Sequence, residues 1–231
     1  MHLIEIRQIQ GHITLLSGLH IGAGDTELHI GGIDKSVVCH PHTRHPYIPG
    51  SSLKGKTRSL LEMRSGCMAK TSGKPLRFID LKKYEGQQKT VARNILQLFG
   101  TSGADKGDAQ EIGPARGSFS DCFLSEEWTE RAMSIPLTEI KAETAIDRIS
   151  GTAQRGSLRL TERVVADVKF SFSISLKVMS DDPDLSELLL KGLKLLELDA
   201  LGGSGSRGYG RVKFTFSEPA DFQNRFDAIV P

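Results

Sequence analysis

The sequence predicts an α+β fold, an antiparallel sheet with helices on one face, and two stretches carry that prediction. Over residues 168–178, Val168, Phe170, Phe172, Ile174, Leu176 and Val178 alternate strictly with Lys169, Ser171, Ser173, Ser175 and Lys177. A strand with that pattern has one core face and one wet face. Leu185, Leu188, Leu189, Leu193 and Leu196 then recur at helical spacing, which gives a helix with an apolar stripe that must pack on a sheet. The other strand candidates alternate too, where a buried parallel sheet would need continuous apolar runs. The interleaving of such strands with helices is of the ferredoxin-like type.

Taken in order, residues 3–16 read as one long strand whose apolar phase slips near Gln8, from Ile4 and Ile6 to Ile9, Ile13 and Leu15; the slip predicts a bulge. Ser17–Asp25 is a glycine-punctuated loop, and Gly31-Gly32-Ile33-Asp34 presents a lone, exposed aspartate ahead of Val37 and Val38. Ser51 or Ser52 suits the N-cap of a helix from about Leu53 to Arg64. A polar, basic insertion follows over about 65–114, interrupted by a short amphipathic helix that Gly100 ends. Ser118–Leu124 is a strand candidate and Ile135–Ile140 a weaker one. Lys141–Arg163 is polar, with scattered apolar residues, and cannot build a core of its own, so it projects as an arm. Asp182-Pro183 predicts an N-cap with proline at the first helical position. Gly202-Gly203 stops that helix, Val212, Phe214 and Phe216 close the sheet, and the tail after Glu218 carries no signal. We read residues 1–231 as a single domain with these two additions.

Its 231 residues can bury a self-sufficient core. No run approaches eighteen uninterrupted apolar residues, and the first residues lack the apolar segment of a signal peptide; the expectation is a soluble, cytoplasmic protein with no membrane partner. Cys39, Cys67 and Cys122 form no CxxC pair and leave an odd thiol, which suits a reducing compartment. The net charge of +2 is unevenly spread, with eleven Lys/Arg against three Asp/Glu between Gly50 and Gly100. Such a block fits a polyanionic partner, although a solvated lysine-rich insertion would look the same.

Three motifs need testing against their context. Gly50 to Thr57 fits G-x-x-x-x-G-K-[ST] literally, but Pro46 and Pro49 rule out the central strand that a nucleotide hydrolase requires before this loop. What survives is a helix start in which Gly50, Ser51, Ser52, Lys54, Lys56 and Arg58 can hold phosphate. Gly203-x-Gly205-x-x-Gly208 matches the dinucleotide fingerprint, yet it follows a helix and precedes a strand, the reverse of that fold. It survives as a flexible loop, Gly203, Ser204, Gly205, Ser206, Arg207 and Tyr209, whose amides can approach phosphate and whose Tyr209 can stack on a base. All seven histidines lie within the first 45 residues. Cys39, His40, His42 and His45 crowd a proline-flanked turn without the paired spacing of zinc sites, which reads as a solvated loop. His20 suits either catalytic assistance or RNA contact, or a structural role.

Together, Asp34, Ile48–Lys56, Thr144–Ile149 and Gly192–Leu198 leading into Gly202–Gly210 resemble the RAMP-superfamily backbone subunit of type III-A CRISPR (Csm) effector complexes. The match covers most of the chain in the right order. The resemblance implies an RRM-like palm and a thumb hairpin at about 141–160, with Ile146 and Arg148 near a kinked base pair. It implies copies stacked as a helical filament along a CRISPR guide RNA, beside other Csm subunits. It also implies cleavage of complementary target RNA at six-nucleotide intervals, with Asp34 essential and with Mg2+ or another divalent cation held weakly by Asp34 and RNA. A carboxylate is a poor base on its own but can position such a cation. Two alternatives stand beside this: a non-catalytic RNA scaffold, and a guide-processing RAMP ribonuclease that cuts without metal through His20.

Overall fold

A computed structural model describes residues 2–24, 35–101 and 111–230. Strand β6, Lys169–Met179, is the alternating stretch, and Phe170, Phe172, Ile174 and Leu176 are all buried along it. It pairs antiparallel with β1, Leu3–Leu15, over an unbroken register from Glu5↔Val178 to Thr14↔Lys169. The far edge of β1 pairs with β7, Val212–Glu218, and the far edge of β6 with β2, Gly117–Phe119, and β3, Phe123–Leu124. The strand order is therefore β2-β6-β1-β7, all antiparallel, with β3 beside β6.

The predicted bulge at Gln8 is absent. The register with β6 shifts between Leu3 and Glu5 instead, and that with β7 between Gln10 and Gly11. Ile4 and Ile6 are simply exposed, whereas Ile9, Ile13 and Leu15 point into the core. The apolar phase changes because this strand uses both faces, with no extra residue at Gln8.

Helix α1, Gly50–Arg64, starts three residues before the expected Leu53, and Pro49 stands at its N-cap with no side-chain cap. It packs against α4, Ser186–Leu198, at a close approach that requires Gly192: a Cβ there would lie 2.6 Å from Thr57 and 2.8 Å from Leu61. The insertion is more ordered than its composition suggests. Short 3-10 turns at Cys67–Lys70 and Phe78–Lys83 precede α2, Gly86–Phe99, and Gly100 ends that helix at φ 88°.

Asp182 does not cap α4, because that carboxylate is occupied elsewhere. It accepts from the buried Arg116 (Nε, 2.6 Å) and from Gln97 (2.9 Å), tying the insertion to the end of β6, and Asp184 caps Ser186 instead. A six-residue α3, Glu126–Arg131, follows β3. The unreadable tail forms α5, Phe222–Asp227, where Phe222 and Phe226 sit one turn apart and close over Phe216 at centroid distances of 6.4 and 4.9 Å. All three thiols are free.

The arm is an antiparallel hairpin, β4, Thr138–Glu143, and β5, Arg159–Val164, forming a separate two-stranded sheet. Its tip is held by Asp147, whose carboxylate accepts from the amides of Ile149 (2.9 Å) and Ser150 (2.8 Å). No helix among the described residues is long and apolar enough to cross a membrane.

Candidate nucleic-acid interface

Three segments meet where the hairpin joins the rest of the chain: the loop after β1, the root of β5, and the glycine-rich loop 201–210. The last is fixed from both sides. Leu201 N donates to Gly210 O (2.8 Å), Gly210 N to Gly18 O (2.9 Å), and Gly203 N to His20 O (2.9 Å). Gly210 is required at φ 70°, since a Cβ there would sit on the Leu201 carbonyl. Ser204 adopts φ 63° and turns the chain so that Gly205, Ser206 and Arg207 are exposed. Arg207 reaches Glu143 at the tip end of the β4–β5 ladder (3.4 Å). Between them lies a cleft of about 430 Å3 lined by Glu143, Thr144, Ala145, Ser157, Arg159 and Arg207.

Tyr209 is not the stacking platform that the sequence suggests. It is fully buried, with Lys141 and Arg163 over its ring at 4.6 and 4.9 Å, so no base can reach that face. Burial first and the Glu143 carboxylate second push its phenol above the ordinary range. The ring instead braces the hairpin root from below, as cation–π contacts of this kind do.

Along α1 the basic residues divide into two groups. Ser51 is exposed and Ser52 and Lys54 half-buried, on the turn that faces outward. The Lys54 ammonium is held below its usual range, by burial first and by the Arg58 charge second. Lys56 is joined to Asp199 at the end of α4 (2.7 Å), two residues before the glycine-rich loop. Arg58, by contrast, is spent inside the protein: it binds Glu62 (2.6 Å) and the carbonyls of Gly100 (3.1 Å) and Leu76. It clamps the insertion to α1. The Gly50 amide is likewise taken, by the Asp121 carboxylate (2.8 Å), and a Cβ at Gly50 would strike the Phe119 carbonyl at 2.2 Å. The helix start is therefore already charge-balanced by Asp121, and the remaining outward groups are side chains.

His20, in the loop after β1, lies against β5 and the glycine-rich loop, and only 8% of it is exposed. Its Nδ1 is 2.7 Å from the Glu162 carbonyl. A carbonyl can only accept, so Nδ1–H donates and the neutral ring keeps its lone pair on Nε2. Asp34 lies outside the described residues. The first described residue after it, Lys35, is paired with Thr161 of β5, and its carbonyl accepts from Glu162 N (3.0 Å). Upstream, residues 21–23 run against 36–38 through Ala23 N to Ser36 O (3.3 Å) and Val38 N to Ile21 O (2.9 Å).

At the hairpin tip Ile146 and Arg148 are exposed, and Ile149 is 99% exposed. Among the described residues no group of three or more His, Cys, Asp or Glu could hold a metal ion, and the Cys39–His45 turn is no exception. His40 there packs edge-on against Phe123 (5.7 Å).

Asp121, Glu143 and Glu162 went unnoticed in the sequence. Nothing in their spacing marks them, because each acquires its role from a segment far along the chain.

A family model described as the RAMP superfamily matches residues 12–213. The chain belongs to the RAMP superfamily. Within that superfamily it is 37% identical over 224 residues to the CRISPR system Cms endoribonuclease Csm3 of Mycobacterium tuberculosis, covering 90% of this chain and 86% of that one. Among solved structures it resembles one described as the Csm3-Csm4 subcomplex in the type III-A CRISPR-Cas interference complex, at a TM-score of 0.53 and 28% identity, covering 93% of this chain and 77% of that chain. It also shares a fold with a chain of the type III-B Cmr-beta complex bound to cognate target RNA, at a TM-score of 0.59 and 17% identity. There it spans 92% of its own length and 60% of that chain. The RAMP match takes in all of the segments assembled above, the hairpin and the glycine-rich loop included.

Proposed function

We propose that this RAMP protein is a guide-RNA-binding backbone subunit of a type III-A CRISPR complex that cleaves complementary target RNA. The observation that carries the reading is the 37% identity, over nine-tenths of the chain, to relatives named as Csm3 endoribonucleases. The geometry supports it, because Lys35, next to Asp34 in the chain, and the ring of His20 both meet β5 of an exposed hairpin.

The strand order β2-β6-β1-β7 and the two helices α1 and α4 support an RRM-like, ferredoxin-like palm as one domain, with residues of about 65–114 as its insertion. The hairpin, which includes residues of about 141–160, is the proposed thumb. Ser51, Ser52, Lys54 and Lys56 on α1, with Gly203 to Arg207, hold the guide through its backbone, which suits recognition without regard to sequence. Ile146 and Arg148, at an apolar and cationic tip, would intrude between guide and target and splay a pair, at six-nucleotide intervals set by successive copies in a filament. A splayed ribose can bring its 2′-hydroxyl in line with the adjacent phosphate, so the protein's share of the chemistry is positioning and charge stabilisation.

Asp34 is the proposed catalytic residue. With Mg2+ or another divalent cation, Asp34 would supply one ligand and RNA phosphate others, and the cation would neutralise charge developing on the phosphate. His20, whose Nδ1 is taken by the Glu162 carbonyl, would act through Nε2 as an assistant or RNA contact. The Nε2 lone pair favours one second reading, a metal-independent cut driven by His20.

In the assembled complex, Asp34→Ala is expected to leave guide and target binding intact and to abolish target cleavage; unchanged cleavage would remove the catalytic assignment. Cleavage of the target that persists in EDTA and disappears with His20→Ala would favour the second reading.

A further inference from the structure

Residues 35–37, which follow Asp34 in the chain, are fastened to the hairpin at Thr161 and, through its amide and its carboxylate, at Glu162. Strand β5 pairs with β4 on one edge, Glu162 opposite Ile140. Its other edge takes Leu19, through mutual bonds with Val164 (2.8 and 2.9 Å), and Lys35, through Glu162 N to Lys35 O (3.0 Å). Glu162 alone contributes on three sides. Its amide holds Lys35, its carbonyl holds His20 Nδ1 at 2.7 Å, and its side-chain Oε2 accepts from Val37 N at 2.9 Å. The Val37 amide, at an isolated bridge with Gly22, thus has its hydrogen bond from a side chain on another strand, where a regular ladder would supply a backbone carbonyl.

We infer that Glu162 is a positioning residue for target cleavage: its carboxylate, by accepting from Val37 N, registers the Lys35–Val37 segment, which follows Asp34 in the chain, against His20 and the hairpin. This deepens the proposed function and rests on Asp34 being the catalytic residue. The hydrogen bond is the operative element, and the charge is incidental. This side chain adds to the backbone bonds at Lys35 the one that fixes Val37, so cleavage depends on it where binding does not. An error of about 1 Å in a catalytic group slows a reaction by one or two orders of magnitude.

Three variants in the assembled complex separate hydrogen bonding from charge. Glu162→Gln keeps an acceptor for Val37 N and removes the charge. Glu162→Asp keeps the charge and withdraws the acceptor by one methylene, and Glu162→Ala removes both. With target RNA saturating and in single turnover, Glu162→Ala and Glu162→Asp should cut about tenfold more slowly or worse, with target affinity within about twofold of the parent. Glu162→Gln should cut within about threefold of the parent. Cleavage at the parent rate in Glu162→Ala, a parallel fall of rate and affinity, or Glu162→Asp active where Glu162→Gln is slow would each overturn the inference. Hydrogen exchange guards against a folding defect. Protection at residues 35–38 should drop in Glu162→Ala while β1 and β6 keep theirs, and loss across the sheet would assign Glu162 to stability alone and overturn the inference. Asp34→Ala in the same preparation separates the two readings: if it cleaves normally, the catalytic assignment fails whatever the Glu162 variants do.

Discussion

The β1–β6 pairing and the β4–β5 hairpin share one kind of antiparallel ladder and differ in what covers it. Every second residue of β6 from Phe170 to Leu176 is buried, Val178 is half-buried, Phe172 meets Phe214 and Phe216 edge-on at 5.8 and 5.5 Å, and two helices close the layer. The hairpin buries only its root, through Thr161, Val164 and Leu137, while Ile140, Ile146, Ile149 and Leu158 face solvent. A two-stranded ribbon without a covered face is marginal on its own. This one is held at its base by Leu19, Lys35 and the Tyr209 brace, and at its tip by Asp147. Stability has been concentrated in one ribbon, and exposed apolar surface has been left on the other, where a partner can use it.

Truncation should separate the two most sharply. Phe172→Ala is expected to cost about 3–5 kcal/mol, as large-to-small changes in a packed core do, seen as a fall in the urea midpoint. A loss under about 1 kcal/mol would mean that the sheet is not the cooperative core.

A smaller effect should appear on the insertion side of the palm at high pH. Tyr84 donates to the Cys67 carbonyl at 2.8 Å, and burial, aided by nearby Cys67 and Asp80, pushes its phenol up to about 12. The folded value exceeds the unfolded one of about 10. Its contribution is therefore complete below pH 10 and is lost as pH rises through 12. Tyr84→Phe should flatten the stability profile between those limits, and an unchanged alkaline slope would refute the assignment.

At the hairpin, Asp147→Ala should speed amide exchange at residues 147–152 without moving the urea midpoint. Hydrogen bonds from Ser150 and Ile149 hold this carboxylate below its usual range, so the ordered tip is present above that range and is lost as pH falls through the depressed value. The smallest stability effect belongs to Ile149→Ala, within about 0.5 kcal/mol, while target cleavage in the assembled complex should slow. A large loss of stability there would erase the contrast between the ribbons.

Much of this was legible in the sequence because periodicity reports on one face at a time. The alternation of β6 and the leucine spacing of α4 needed nothing beyond their own segments. Asp182-Pro183 misled because a good capping pair says nothing of Arg116, 66 residues away, which takes the carboxylate. Tyr209 misled for the same reason: a glycine-rich loop suggests exposure, and only the arrival of Lys141 and Arg163 buries the ring. The short α5 escaped notice because Phe222 and Phe226 make too few turns for a pattern, although each finds Phe216 once the sheet exists.

By itself the sequence determined the antiparallel sheet, the pairing of an amphipathic helix with it, the projecting arm and the cationic α1, each a property of local spacing and charge. Only the tertiary structure decided which of those groups remain free. Arg58, the Gly50 amide and Tyr209 are consumed by Glu62, Asp121 and a pair of cations, whereas Glu162, unremarkable in the sequence, comes to join His20, Lys35 and Val37. The physical reason is that a hydrogen-bonding group has a fixed number of bonds to make, and its partners are chosen by contacts between segments far apart in the chain.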